Sequence, residues 1–256
     1  MKSQIIQDHA QTLASARTRA ADLARELNGA ITAAAAFRDP NFTDDANAQK
    51  RRDIEKAVRE QAAVNLADQR ERVSGSLKLV RYAAEKARPR VVEEPASLIR
   101  SEQKWRQVQT QLQAGVALPS IIASADLPTL LAIEDWMPAQ VTADVARMYP
   151  GLNAIAKSAD PKAAIARLVT QRLVEVVDPD VAEDLRNASQ AESSAAAAQV
   201  WHDAIEIGIQ TSGGVDTLAA SIGAKYAAEA HSLKSSADAA KDSEQATAGE
   251  HTSAAA

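Results

Sequence analysis

Residues 6 to 37 carry an unbroken seven-residue repeat. Ile6, Leu13, Ala20, Leu27 and Ala34 occupy one position, and His9, Ala16, Leu23, Ala30 and Phe37 lie three residues behind each. That spacing brings all ten side chains onto one stripe of an α-helix, and such a stripe must lie against another helix. The large members, Ile6, Leu13, Leu23, Leu27 and Phe37, form the candidate interaction seam, facing a hairpin partner, another copy or another structural protein. A first helix is expected from Lys2 to Arg38, ended by Asp39-Pro40-Asn41, because proline restricts the residue before it and Asn favours turns.

A second helix is predicted from Asp44 to about Arg88, stopped by Pro89. Its apolar positions, Ile54, Val58, Ala62, Leu66, Val73, Leu77, Val80 and Ala84, advance by threes and fours, with Gln69 interrupting the stripe. The two helices together read as a long, coiled-coil-like hairpin over residues 1–90. Residues 91–95 read as a linker, followed by a third helix, Ala96 to Ala114, with Leu98, Trp105 and Leu112 spaced by sevens. Short helices then follow one another, punctuated by Pro119, Pro128, Pro138 and Pro150-Gly151. Asp160-Pro161 and Asp178-Pro179 are strong helix starts, since Asp accepts from free amides at the N-cap and proline suits the first turn. They launch helices from Pro161 to Val177 and from Pro179 to Gln210, and Gly213-Gly214 is the matching stop. A last helix, Val215 to about Leu233, carries Leu218, Ile222 and Tyr226 on one face. Residues 96–233 are thus expected to form a smaller multi-helix body. Residues 234–256, rich in Ala, Ser and acids with no large apolar residue, read as a disordered acidic tail.

Composition changes this picture in one respect. Hydrophobic residues make up 46% of the 256, but 57 residues are alanine, and Leu, Ile, Val and Phe together number only 51. Alanine is the best helix former yet buries little area, so the fold class is all-α with long, thinly packed helices. The absence of cysteine removes disulfides, thiolate nucleophiles and zinc knuckles. The start of the chain lacks an apolar export segment and no apolar run is long enough to span a bilayer, so a soluble cytoplasmic protein without membrane partners is expected.

Charge is polarised along the chain. Between Lys50 and Arg90 there are 12 basic and 6 acidic residues, and from Glu175 onward 4 basic and 14 acidic. Opposite charges at opposite ends can attract within one chain, between copies, or toward separate partners. The basic residues Lys50, Arg51, Arg52, Arg59, Arg70, Arg72, Lys78, Arg81, Lys86, Arg88 and Arg90 are candidate contacts to phosphate or to an acidic partner. Interleaved acids and the near absence of aromatic side chains favour a salt-bridged helix surface instead.

No catalytic set emerges. His202 precedes Glu206 by four, a spacing that can share a metal, but a lone pair reads as an ordinary surface contact. The acidic pairs Glu93-Glu94, Glu134-Asp135 and Glu183-Asp184 point in different directions on a helix and read as solvated faces. Trp105, Trp136 and Trp201 each sit in an amphipathic context where core packing is the default. No cofactor, metal or small-molecule substrate is therefore proposed.

This layout of a cysteine-free, alanine-rich helical chain, with a heptad-bearing N-terminus, a basic segment and an acidic tail, resembles the scaffolding and virion-assembly proteins of tailed bacteriophages. The resemblance covers mainly residues 1–90 and 235–256. It implies an elongated, oligomeric, non-enzymatic assembly protein. The internal basic segment departs from scaffolds that carry a basic element near the C-terminus, so the resemblance does not extend to coat binding through the tail. The leading expectation is a structural or assembly protein acting by helix-on-helix association. The alternative is a nucleic-acid-associated protein using the basic segment 50–90.

Overall fold

The computed structural model describes residues 2–91, 94–137, 152, 161–211 and 213–232, with side chains from Gln7 onward. All the secondary structure among these residues is helical. The elements are α1 (Lys2–Ala14), α2 (Ala16–Ala36), α3 (Asp44–Ala87), α4 (Pro95–Gln113), α5 (Leu118–Ser124), α6 (Leu127–Trp136), α7 (Pro161–Val176), α8 (Pro179–Gln210) and α9 (Thr217–His231). The expected all-α class is the observed one. The proposed tail, the prolines at 138 and 150, Glu93 and Asp160 lie outside the described residues.

The chain divides into two compact units, and the division differs from the one expected. One unit joins Met1–Glu85 to Asn187–Ser232, and the described part of the other lies within Lys86–Arg186. The C-terminal helices thus pack on the N-terminal hairpin instead of extending the central body. In the first unit, Leu23 and Leu27 of α2, Ala62 and Leu66 of α3, Trp201 and Ile205 of α8 and Ala220 and Ala224 of α9 share one core cluster. A smaller cluster joins Leu13 of α1 to Val80 of α3 and to Ala191 and Ala195 of α8. Alanine supplies many of these buried positions. Helices faced with it can approach closely, and each contact buries little area.

The first helix is long, as expected, and bent. At Ser15 (φ −86°, ψ −8°) α1 passes into α2 with the ladder running on, the Ser15 amide donating to the Gln11 carbonyl and the Arg19 amide to that of Ser15. The Ser15 hydroxyl donates to the carbonyls of Thr12 (3.0 Å) and Gln11 (3.2 Å). Such back-bonding competes with the helix ladder and bends helices.

Between α2 and α3 the turn is tied by Asn47, which is buried although polar. Its Oδ1 accepts from the Asp39 amide at 2.8 Å, and its Nδ2 reaches the carbonyls of Asp39, Phe42 and Thr43. One side chain thereby satisfies backbone groups of the turn itself, while Thr43 Oγ1 accepts from the Ala46 amide at the start of α3. A second tie closes the unit. Asn28 Nδ2 donates to the Val215 carbonyl (2.9 Å) while its Oδ1 accepts from the Val215 amide (2.7 Å). The chain reaches this point through Gly214 at φ +75°, a conformation that L side chains rarely adopt. Where this segment crosses α8, a Cβ on Gly208 would sit 2.7 Å from Val215 Cγ2. Asp216 then caps α9 by accepting from the amides of Leu218 and Ala219. The helix therefore starts two residues later than expected, and Val215 is freed to enter the core.

In the second unit α4 packs on α6, and α6 and α5 pack on α7. Trp105, Val108 and Leu112 of α4, Ile121 and Ile122 of α5, Leu130 and Ile133 of α6, and Ile165, Val169 and Leu173 of α7 are buried. Asp126 caps α6 through the Thr129 amide and hydroxyl and also meets Lys104 at 3.0 Å. The hydrogen bond from the Thr129 side chain, aided by Lys104, holds its carboxyl below the usual carboxylate range against the opposing effect of burial. Asp178 likewise accepts from the Asp180 amide at the start of α8, as its position before proline predicts. Trp136 departs from expectation. It is 40% exposed, with its indole nitrogen donating to Ser101 Oγ at 3.2 Å.

Two substitutions test this account by urea denaturation. Asn47→Ala strands several backbone groups and is expected to cost about 2 kcal/mol. Gly75→Ala, in the middle of α3 with nothing within 4 Å of the added Cβ, is expected to gain roughly 0.5–1 kcal/mol.

Candidate interaction surface

The heptad seam of residues 6–37 faces inward. Leu13, Ala16, Ala20, Leu23, Leu27 and Ala34 are all buried, while His9, Ala30 and Phe37 are half-buried. Ile6 lies on α1, and its side chain is outside the described residues. The seam is covered by this chain's own α3, α8 and α9, so Leu13, Leu23 and Leu27 are core residues not available to a second copy.

The basic residues of α3 are largely engaged within the chain. In the first unit α8 runs antiparallel to α3, and ion pairs tie the two. Arg70 meets Asp203 at 3.2 Å and Glu206 at 2.6 Å, and Arg81 meets Glu192 at 2.7 Å. Arg59 pairs with Glu55 (2.7 Å) and donates to the carbonyls of Gly208 and Ile209, placing a cation on the last turn of α8 where the helix dipole is negative. Arg51 donates to the Phe37 carbonyl and Arg72 pairs with Asp68. In the second unit Arg88 binds Glu134 (2.7 Å) and Thr170, while Arg90 is exposed. Among the described residues Lys50, Arg52, Lys78 and Lys86 carry no ion pair. Lys50 and Arg52, two residues apart, point to opposite sides of α3. Phosphate binding needs cations gathered on one face, and three of the six arginines of this helix, Arg59, Arg70 and Arg81, are engaged in holding α8.

His202 corrects the expectation of a surface pair with Glu206. It is 1% exposed, and Glu206 is bound to Arg70. Burial, with the adjacent Arg70 cation adding to it and Asp203 opposing, pushes the His202 pKa down to about 4. The ring is thus neutral in the folded protein near neutral pH, and its Nε2 has no hydrogen-bond partner among the described residues. Of the acidic pairs, Asp135 is raised by burial, and Asp184 is raised by burial and then by Glu183 and Asp180. Among the described residues no three metal-ligating side chains converge, and no helix is long and apolar enough to cross a membrane.

An exposed apolar stripe lies on α9. Leu218 is 71%, Ile222 49% and Tyr226 67% exposed, each four residues from the last and so on one stripe. The opposite face is made of small residues: Ala220 and Ala224 are buried, and a Cβ on Gly223 would lie 3.0 Å from Val200 Cγ1. Two α8 hydroxyls fix this orientation, Ser193 donating to the Ala228 carbonyl (2.8 Å) and Ser189 to that of His231 (3.1 Å). The grouping of Leu218, Ile222 and Tyr226 is plain in the sequence. Its outward direction is not, because Ala and Gly positions at the same period are an equally regular stripe.

The buried histidine makes stability depend on pH in a definite direction. The unfolded chain takes up a proton on His202 near pH 6.5 and the folded chain only near pH 4, so acidification between these values favours unfolding. Compared with wild type, His202→Gln is expected to lose about 2–3 kcal/mol less stability between pH 7 and pH 4.5, read from urea melts at the two values. Equal losses in the two proteins would show that His202 titrates normally in the fold. No family model, curated protein or solved structure matches the chain.

Proposed function

We propose that the chain is a non-enzymatic structural or assembly protein that works by packing α9 against helices of other subunits, copies of itself included. The observation that carries this reading is the inverted distribution on α9, where the three large apolar side chains face solvent and small residues fill the core side. A helix that serves only its own fold places its large side chains inward, since covering a Leu, Ile or Tyr fully is worth roughly 1.5–3 kcal/mol or more each. Three partly exposed residues supply a modest association energy once the cost of bringing subunits together is deducted. That suits reversible contacts repeated over many copies. Assembly of a virion head is the setting that the sequence layout implies, and it enters here as part of the proposal.

Sedimentation velocity over a wide concentration range is the test. Wild type is expected to shift to larger species as concentration rises, and a Leu218→Ser, Ile222→Ser, Tyr226→Ser variant is expected to remain monomeric with unchanged helix content. A wild type that sediments as the same monomer as the variant at every concentration sinks self-association through α9. Substitutions at Leu23 or Leu27 do not serve here, because they open the core.

A further inference from the structure

We infer that α1 is a separable arm, hinged at Ser15, that closes reversibly over a groove between α3 and α8. Three observations converge on it. The first is the bend at Ser15, whose hydroxyl donates to two carbonyls of the preceding turn while the helix ladder runs on through it. The second is how little holds α1 down. Among its described side chains only Leu13 is buried, with His9 adding a single hydrogen bond to Ser76 Oγ at 3.1 Å. By contrast α2 buries Ala20, Leu23, Ala24, Leu27 and Ala34 and carries the double Asn28–Val215 tie. The third is the open packing beside α1. A groove of about 430 Å³ runs between α2 and α3 and touches α1 only at Thr12, with Arg19, Asp22, Glu26, Asn65 and Gln69 among its lining. Another of about 210 Å³ lies between Ala10, Gln11 and Ala14 of α1 and Asn187, Gln190 and Ser194 of α8.

The division of the core explains why the arm can move alone. Leu13 belongs to the small cluster with Val80, Ala191 and Ala195, and the larger cluster that holds α2 does not include it. At the level of the first cleft α3 presents Gln69, whose Oε1 is buried without a partner, where an apolar side chain would otherwise weld the two clusters. Opening α1 therefore uncovers Val73, Leu77 and Val80 without breaking the contacts of Leu23 and Leu27. Elements with few buried contacts open in native-state fluctuations well below the energy of global unfolding. The groove so exposed has α1 as its own occupant, which makes the arm a cover that can lift and return.

Native-state hydrogen exchange on the full-length protein decides it. Amides of residues 8–14 are expected to exchange at least about 100-fold faster than those of residues 23–27. Leu13→Ala is expected to speed the residue 8–14 amides by at least about 30-fold while changing those of residues 23–27 less than about threefold. His9→Ala should act in the same direction with smaller amplitude. Leu27→Ala, placed in the shared core, should accelerate both groups together. If α1 and α2 exchange at one common rate in wild type, or if Leu13→Ala accelerates both equally, the arm is not separable and the inference falls.

Discussion

Leu23 and Leu27 of α2 meet Trp201 and Ile205 of α8 in a cluster where alanine is the commonest residue. In a chain with so few large apolar side chains, covering these four dictates which helices must come together. Neither α3 nor α8 alone closes over the α2 stripe. The C-terminal helices return to it, and residues 86–186 are left to build a separate core around Trp105, Leu112, Leu130, Ile133 and Leu173. Alanine faces let helices come close but hold them weakly, so polar groups take up the work of alignment. Asn47 fixes the α2–α3 turn, Asn28 fixes the return of the C-terminal segment, and arginines from α3 set the register of α8.

That last role accounts for part of the charge polarity of the sequence. Basic α3 and acidic α8 attract within one chain, and the pairs made by Arg70 and Arg81 sit at successive levels of an antiparallel contact. Partly exposed pairs of this kind contribute little each to stability. Their value is directional, because shifting α8 along α3 would break all of them together and uncap the last turn that Arg59 holds.

Much of this was legible in the sequence, and the reasons are local. Pro89, Asp178-Pro179 and Gly213-Gly214 mark element ends through the backbone alone, so the helices fall close to where spacing places them. The inward face of α3 follows the predicted threes and fours from Ile54 to Ala84, and Gln69 falls where the core is interrupted. The partner of each stripe was not legible. A heptad states that a side must be covered but not by what, and the seam at Leu13, Leu23 and Leu27 is as consistent with a second chain as with α8. His202 and Trp136 were misplaced for a related reason, since a single polar residue in a helix, or an aromatic one at its last position, carries no period of its own to say which way it points. The buried roles of Asn47 and Asn28 left no signal beyond a turn-favouring residue type.

The Asn28–Val215 tie joins positions 187 residues apart. During synthesis the ribosome delivers Asn28 187 residues ahead of Val215, so the leucines of α2 wait through that stretch of translation for the segment that seals them. Contacts this distant in sequence slow folding and prolong the life of sticky intermediates. A nascent chain cut short before α8 therefore carries its greasiest surface bare, and truncated products are candidates for chaperone capture or aggregation in a way the finished protein is not.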